Sequence, residues 1–159
     1  MKFPSRFLLF SIAWGLLAGC STVDDDILPP KELIDFKETL PIKKIWSTNL
    51  GKGSKFLRIS LSPAGDSNRI YAASRDGVVS ALNPDNGRMI WQADVDVLLS
   101  AGPGTGEDYV VVAGSDGDLI CLTATNGHEI WRSNINGESL ARPLIKNSSV
   151  LVQTIDGKL

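Results

Sequence analysis

The feature that most constrains this chain is an internal repeat with a period of 40 residues, seen when Pro63 is aligned with Pro103 and Pro143. The register does not slip between residue 63 and the last residue, 159. The other recurring residues are three Asp-Gly pairs (Asp76-Gly77, Asp116-Gly117, Asp156-Gly157), two Asn-Gly pairs (Asn86-Gly87, Asn126-Gly127) and the tryptophans Trp91 and Trp131. A period of about 40 residues is typical of stacked structural repeats, including propeller blades.

One repeat unit, taken over residues 109–135, predicts several short strands. "YVVVAGS" is rich in β-branched residues, "DLICL" follows an Asp-Gly turn, and "HEIWRSNI" follows an Asn-Gly turn. A stretch near residues 101–103 supplies the remaining strand, with its proline at a strand start or a sheet edge. Four antiparallel strands in about 40 residues predict a propeller blade, because no helical spacing is sustained here and Gly and Pro are frequent.

The recurring residues therefore have structural interpretations. Each tryptophan is predicted to be an apolar plate near the outer edge of a blade, packed against the neighbouring blade. The Asp-Gly and Asn-Gly pairs are predicted to be turns, because glycine adopts the positive φ that such turns need. We predict no catalytic, cofactor-binding or metal-binding residue among them.

The composition excludes several function classes. The formal net charge is −2, which gives no electrostatic reason to expect nucleic acid as a partner. Two cysteines and one histidine are too few for a structural zinc site. Cys121 is predicted to be a buried, inert thiol, and His128 to be exposed beside a turn.

The amino terminus has the pattern of a secretory signal. Lys2 and Arg6 precede the apolar stretch "FLLFSIAWGLL", which is too short for the ~20 residues of a spanning helix. The following "LAGC" resembles the bacterial lipobox, which implies cleavage before Cys20, acylation of its thiol and new amino group, and an anchor of two or three chains. Ser21 after the cysteine favours the outer membrane, with the chain facing the periplasm. We therefore expect a signal peptide over 1–19, a lipidated cysteine and flexible tether over 20–40, and an incomplete propeller over 41–159.

The blade sequences "ALNPDNGRMIW" and "CLTATNGHEIW" are similar to the blade signature of the pyrroloquinoline-quinone-type propellers. Together with the lipobox and "KKIWSTNLG", they make the chain resemble the amino-terminal part of the BamB family, lipoproteins of the outer-membrane β-barrel assembly machinery. The resemblance implies an eight-bladed, non-enzymatic scaffold without a cofactor. It also implies binding to the periplasmic domains of the central β-barrel assembly protein and to other subunits.

The stretch around Trp46 resembles the last strand of a blade without the three strands that normally precede it. In a closed propeller it is expected to pair with the final blade, and "GKGSK" at 51–55 is expected to be a loop insertion. Residues 41–159 suffice for about two complete four-stranded blades plus part of a third, so we expect an amino-terminal fragment. Residues 21–159 alone are expected to be poorly folded or insoluble, because blade edges and tryptophan faces stay uncovered.

Two other functions remain open at this level. One is a pyrroloquinoline-quinone-dependent dehydrogenase-like propeller, which quinone absorbance or calcium-dependent dye reduction would reveal. The other is a ligand-binding periplasmic lipoprotein of the same fold, which a pull-down from outer-membrane extracts would separate from the scaffold.

Overall fold

The computed structural model describes residues 30–35, 37, 39–53, 59 and 61–159. The chain divides into two units, residues 1–41 and 42–159. The described residues of the first unit are exposed and have no helix or strand. The predicted signal peptide and Cys20 lie outside the described residues. No helix among the described residues has the length and apolar character that a membrane crossing requires.

The first blade is a four-stranded antiparallel sheet in the second unit. Its strands are β1 (Ala64–Gly65), β2 (Ile70–Ala73), β3 (Val78–Leu82) and β4 (Met89–Asp94). They lie side by side in chain order. Short turns join them because Asp-Gly and Asn-Gly sequences separate the β-branched and aromatic runs.

The second blade repeats this arrangement with β5 (Leu99–Gly106), β6 (Tyr109–Gly114), β7 (Asp118–Thr123) and β8 (Glu129–Asn134). A third, two-stranded sheet follows, formed by β9 (Leu144–Lys146) and β10 (Ser149–Leu151). The predicted all-β class, with two complete blades and part of a third, is confirmed.

The two complete blades share the same strand register. Trp91 pairs with Ala81 across β3 and β4, and Trp131 pairs with Cys121 across β7 and β8. In both blades the register shifts directly after that small residue. The shift is a local irregularity next to the tryptophan, repeated because the sequence around it is repeated.

The core consists of two apolar layers, one on each side of the second blade. Alternate residues of a strand face opposite sides of a sheet, so Ile120 and Leu122 belong to the layer shared with the first blade. Leu119 and Cys121 face the layer shared with the two-stranded sheet, where they meet Ile145. Stacking of sheets through both faces of one blade is the packing that the 40-residue period predicts.

Two sequence predictions for particular stretches have different outcomes. Residues 44–46 form no strand, because a strand needs a partner ladder and none of the described strands pairs with them, so their expected pairing with a final blade stays a prediction. Pro103 lies inside β5, which is the edge strand of its sheet and therefore tolerates a residue without an N–H, so the predicted edge position is confirmed.

Candidate functional site

The Asn-Gly turns between the third and fourth strands of each blade have one conformation. In the first, the Gly87 N–H donates to the Asn83 carbonyl at 2.9 Å, and in the second the Gly127 N–H donates to the Thr123 carbonyl at 2.9 Å. Gly87 has a φ of 68° and Gly127 a φ of 73°. These values lie in the left-handed region, where glycine is favoured. We call residues 83–87 and 123–127 the docking turns.

Each docking turn receives a tryptophan from the preceding part of the chain. The Trp91 indole N–H, from the first blade, donates to the Ala124 carbonyl of the second blade at 2.8 Å. The Trp46 indole N–H donates to the Pro84 carbonyl of the first blade at 2.7 Å. Trp46 and Trp91 therefore make the same contact, one repeat apart.

The glycine of each docking turn leaves room for the indole ring. A Cβ atom added to Gly127 would lie 2.5 Å from Cε3 of Trp91, and one added to Gly87 would lie 2.5 Å from Cε3 of Trp46. Real Cβ atoms do not approach that closely, so the ring lies directly on the turn backbone. The Asn-Gly pair thus serves both the turn and the neighbouring tryptophan.

The two blade tryptophans differ in their exposure to solvent. Trp91 is 8% exposed and also packs on Tyr71, with ring centroids 6.0 Å apart and planes at 41°. Trp131, in the equivalent position of the second blade, is 36% exposed. In the described residues no docking turn lies over Trp131, and this explains the difference.

In the two complete blades the Asp-Gly pairs lie at the hairpins between the second and third strands, and the third pair follows β10. All three glycines have positive φ: 93° at Gly77, 85° at Gly117 and 83° at Gly157. The hydrogen bond from the Ser74 hydroxyl holds the pKa of Asp76 below its usual value. The Lys158 ammonium and the Thr154 hydroxyl do the same for the pKa of Asp156. Asp116 is exposed, and its backbone carbonyl accepts a hydrogen bond from the Asn134 amide at 3.0 Å.

The side chains of the two turn asparagines bond within their own turns. The Asn86 Oδ1 accepts the Arg88 N–H at 3.0 Å, and the Asn126 Oδ1 accepts the His128 N–H at 3.1 Å. Across the described part of the chain, no three His, Cys, Asp or Glu side chains are grouped so that they could hold a metal ion.

Polar contacts between blades are a feature that the sequence did not reveal. Arg75, in the first Asp-Gly hairpin, donates to the Leu99 carbonyl at 3.0 Å and to the Ser115 hydroxyl of the second blade. Arg132 of β8 donates to the Val95 carbonyl at 2.9 Å while forming an ion pair with Glu129. Arginine is suited to such bridging because its guanidinium has several donors.

The sequence analysis also did not predict how closely the backbone of β5 approaches the chain on either side of it. A Cβ added to Gly104 of β5 would lie 2.0 Å from the Pro143 carbonyl oxygen, and one added to Gly102 would lie 2.4 Å from the Ser62 carbonyl oxygen. The alternation "GPGTG" places glycine at every second position. That pattern signals close backbone approach in a strand.

Tyr71 and Asp66 form a polar pair at the edge of the first core layer. The fully buried Tyr71 donates its hydroxyl to Asp66 Oδ2 at 2.9 Å. Burial, followed by the hydrogen bond to Asp66, raises the pKa of Tyr71 to about 12. Burial opposes ionisation of Asp66, but hydrogen bonds from Asn68, Tyr71 and Arg69 together keep its pKa below the usual value.

This pair predicts a pH dependence of stability. Because the folded-state pKa of Tyr71 is raised from 10.0 to about 12, its contribution is complete below pH 10 and is lost as the pH rises towards 12. We expect the difference in unfolding free energy between wild type and Tyr71→Phe to shrink over that interval, measured as the resistance of the displayed chain, at high dilution and in increasing urea, to a protease that is active at alkaline pH. Cys121 is present in both proteins, so its own titration cancels. A difference that stays constant across this interval would show that the Tyr71 hydroxyl is not held as described.

The remaining reactive side chains are not gathered in one site. Burial raises the pKa of the Cys121 thiol to about 11, which disfavours the reactive thiolate. His128 is exposed beside the second docking turn. The geometry that recurs in this chain is therefore that of a packed repeat.

Comparison with known proteins decides the family. The family model described as "Outer membrane protein assembly factor BamB" matches residues 43–99 and 75–159, which is more than half of the chain. The chain belongs to the BamB family. The BamB of Vibrio cholerae serotype O1 is 44% identical over an alignment that covers 99% of this chain and 42% of that protein.

Solved structures agree with this assignment. The crystal structure of BamB from Moraxella catarrhalis matches with a TM-score of 0.55 and 31% identity, covering 62% of this chain and 30% of that one. The quinohemoprotein alcohol dehydrogenase of Comamonas testosteroni matches with a TM-score of 0.52 and 22% identity, covering 59% of this chain and 17% of that one. At that identity the second match shows the propeller fold alone.

The chain is short for a BamB protein. It spans 24% to 44% of the length of four curated BamB relatives. The alignment with the Vibrio cholerae protein covers 99% of this chain, so the residues present here correspond to one region of that relative.

Proposed function

We propose that this chain forms the amino-terminal blades of a scaffold subunit of the outer-membrane β-barrel assembly machinery. The observation that carries the proposal is the BamB family match over residues 43–99 and 75–159. The relatives are named assembly factors, and repeated blades present many loops and strand edges for contact with other proteins. The partners in this proposal are the periplasmic domains of the central β-barrel assembly protein and the other subunits.

The same proposal assigns no enzymatic activity to the chain. The carboxylates of Asp76 and Asp156 are engaged in their own turns, and the rings of Trp46 and Trp91 are engaged in the docking turns. These side chains have structural partners, which leaves them unsuited to holding a quinone. Absence of quinone absorbance in the protein purified from its host would agree with this, and a bound quinone would contradict it.

Affinity purification tests the scaffold role. The full chain, expressed from its own start with a carboxyl-terminal tag in a Gram-negative bacterium, is extracted from membranes in mild detergent. We expect subunits of the β-barrel assembly machinery to co-purify above the level seen with an unrelated tagged outer-membrane lipoprotein. Equal capture by the two baits would refute the proposal.

The proposed anchor is the lipidated Cys20, followed by the tether over 20–40 and the blades over 41–159. Described tether residues such as Leu33 and Leu40 are largely exposed, as a linker between anchor and blades requires. Lipidation at Cys20 places the chain at the outer membrane, facing the periplasm. Two or more acyl chains suffice for stable attachment, whereas one holds a protein only marginally.

Replacing Cys20 tests the anchor directly. We expect Cys20→Ala to abolish labelling of the chain by an alkyne-bearing palmitate analogue and to remove it from the outer-membrane fraction, because no acceptor thiol remains. Ser21→Ala is the matched control and should keep both properties. Membrane attachment of Cys20→Ala equal to that of the control would contradict the anchor.

A further inference from the structure

The chain contains three Asn-Gly pairs, at 86–87, 126–127 and 136–137. Asparagine followed by glycine is chemically labile, because the glycine N–H, unshielded by a side chain, can attack the asparagine side-chain carbonyl. The three pairs share this intrinsic chemistry. The structure distinguishes them by what holds the two reacting groups.

The first two pairs are held in the docking turns. The Gly87 N–H donates to the Asn83 carbonyl at 2.9 Å while the Asn86 Oδ1 accepts the Arg88 N–H. At the second pair, the Gly127 N–H donates to a backbone carbonyl at 2.9 Å, and the Asn126 Oδ1 accepts the His128 N–H. Attack in either turn requires the glycine N–H to leave its backbone acceptor, and the hydrogen bond to the asparagine Oδ1 restrains the rotation of that side chain.

The third pair lacks both restraints. Asn136 is exposed, with a φ of 52°, and its own N–H donates to the Asn134 Oδ1 at 2.8 Å. Within the described ranges, no hydrogen bond engages the Asn136 side chain or the Gly137 N–H. Both reacting groups are therefore free of hydrogen bonds to the described residues of the folded protein, although the Gly137 nitrogen packs against Gly117.

We propose that Asn136 is a site of spontaneous deamidation in the folded chain. The Gly137 nitrogen loses its proton to solvent and forms a bond to the Asn136 Cγ, the Cγ–Nδ2 bond breaks, and Nδ2 takes up one proton from solvent and leaves as ammonia. The resulting five-membered succinimide then takes up one water molecule at either of its two carbonyl carbons. Opening of that carbon–nitrogen bond gives aspartate or isoaspartate, with no change of oxidation state.

The repeat predicts which product the fold accepts. Asp96 occupies the equivalent position of the first blade with a φ of 56°, so aspartate at 136 fits the same loop. Isoaspartate inserts an extra methylene into the backbone next to Ile135, whose N–H donates to the Gly117 carbonyl at 2.9 Å. A Cβ placed on Gly137 would lie 3.2 Å from Thr154, so this loop also packs closely against the third sheet. Isoaspartate is therefore expected to loosen that junction.

Peptide mapping by mass spectrometry of the mature lipidated chain, aged in mild detergent at weakly alkaline pH, tests the proposal. We expect Asn136 to deamidate about tenfold or more faster than Asn86 and Asn126, because the glycine N–H that follows each of those must first leave its backbone acceptor. In a parallel sample held in concentrated denaturant, the three rates should converge. Similar rates at the three sites in the folded chain would overturn the proposal, as would the same ranking in the denatured chain.

A matched variant separates the two products. Asn136→Asp reproduces Asp96 and is expected to melt like the unaged wild type, whereas the aged wild type, rich in isoaspartate, should melt earlier. Enzymatic methylation of isoaspartate identifies that product independently of the mass change. An aged protein whose deamidation is confined to Asn86 or Asn126 would count against the assignment of Asn136.

Discussion

Trp91→Ala is expected to lower the unfolding free energy by about 3–5 kcal/mol, the usual cost of deleting a large buried aromatic side chain. The ring is 8% exposed and packs on Gly127 and Tyr71, and its indole N–H bonds the Ala124 carbonyl. Its removal leaves a cavity between the two complete blades, and the Ala124 carbonyl keeps only the long hydrogen bond from the Tyr71 hydroxyl, at 3.5 Å. Protease resistance of the chain displayed at high dilution measures the change without interference from aggregation.

Trp131→Ala is the matched control for this prediction. Trp131 occupies the same register position but is 36% exposed, with no docking turn over it in the described residues. We expect it to cost clearly less than Trp91→Ala, because less apolar surface returns to water. Equal losses for the two variants would mean that the docking turn contributes nothing.

Gly127→Ala is expected to destabilise the chain strongly, second only to Trp91→Ala. The φ of 73° alone costs about 1–2 kcal/mol with a Cβ present. The new methyl group would also lie 2.5 Å from the Trp91 ring, and overpacking of this kind costs about 1–3 kcal/mol. Proteolysis of the displayed chain measures the sum of the conformational cost and the overpacking cost.

Gly157→Ala isolates the backbone part of that effect. Gly157 has a comparable φ of 83°, but apart from its chain neighbours no atom of the described residues lies within 4 Å of a Cβ added there. We expect only the conformational cost of about 1–2 kcal/mol. If Gly127→Ala proved no worse than Gly157→Ala, the ring would not lie on the turn as described.

The sequence predicted the blade architecture well because the signal is repeated. Asn-Gly and Asp-Gly pairs at constant spacing define turns, and the β-branched runs between them can only be strands. Strand alternation in "DLICL" places Ile120 and Leu122 on one side and Leu119 and Cys121 on the other, in agreement with the two core layers.

The contacts between blades could not be predicted in the same way. The recurrence of Trp91 indicated packing on a neighbouring blade, but periodicity carries no information about which atoms meet across it. The partner is the glycine of the next Asn-Gly turn, 36 residues further on. The bridges from Arg75 and Arg132 have no sequence signal either, because Ile155 occupies the third-copy position of Arg75 and Gln92 the first-blade position of Arg132.

The strand around Trp46 was expected to pair with the final blade of a closed propeller, and that pairing stays a prediction. Its sequence has the character of a blade's fourth strand, yet strand formation needs a partner ladder in addition to a favourable composition. The tryptophan still bonds the Pro84 carbonyl. The ring contact therefore forms without the strand.

The most direct test of the docking contact is a double-mutant cycle between Trp91 and Gly127, read by displayed-chain proteolysis. Once Trp91→Ala has removed the ring, adding Gly127→Ala should cost only the backbone term, as Gly157→Ala does, so the combined loss should fall short of the sum by the overpacking cost of about 1–3 kcal/mol. Losses that simply add would show that the Trp91 ring does not touch the Gly127 turn, and would contradict the stacking of blades through tryptophan.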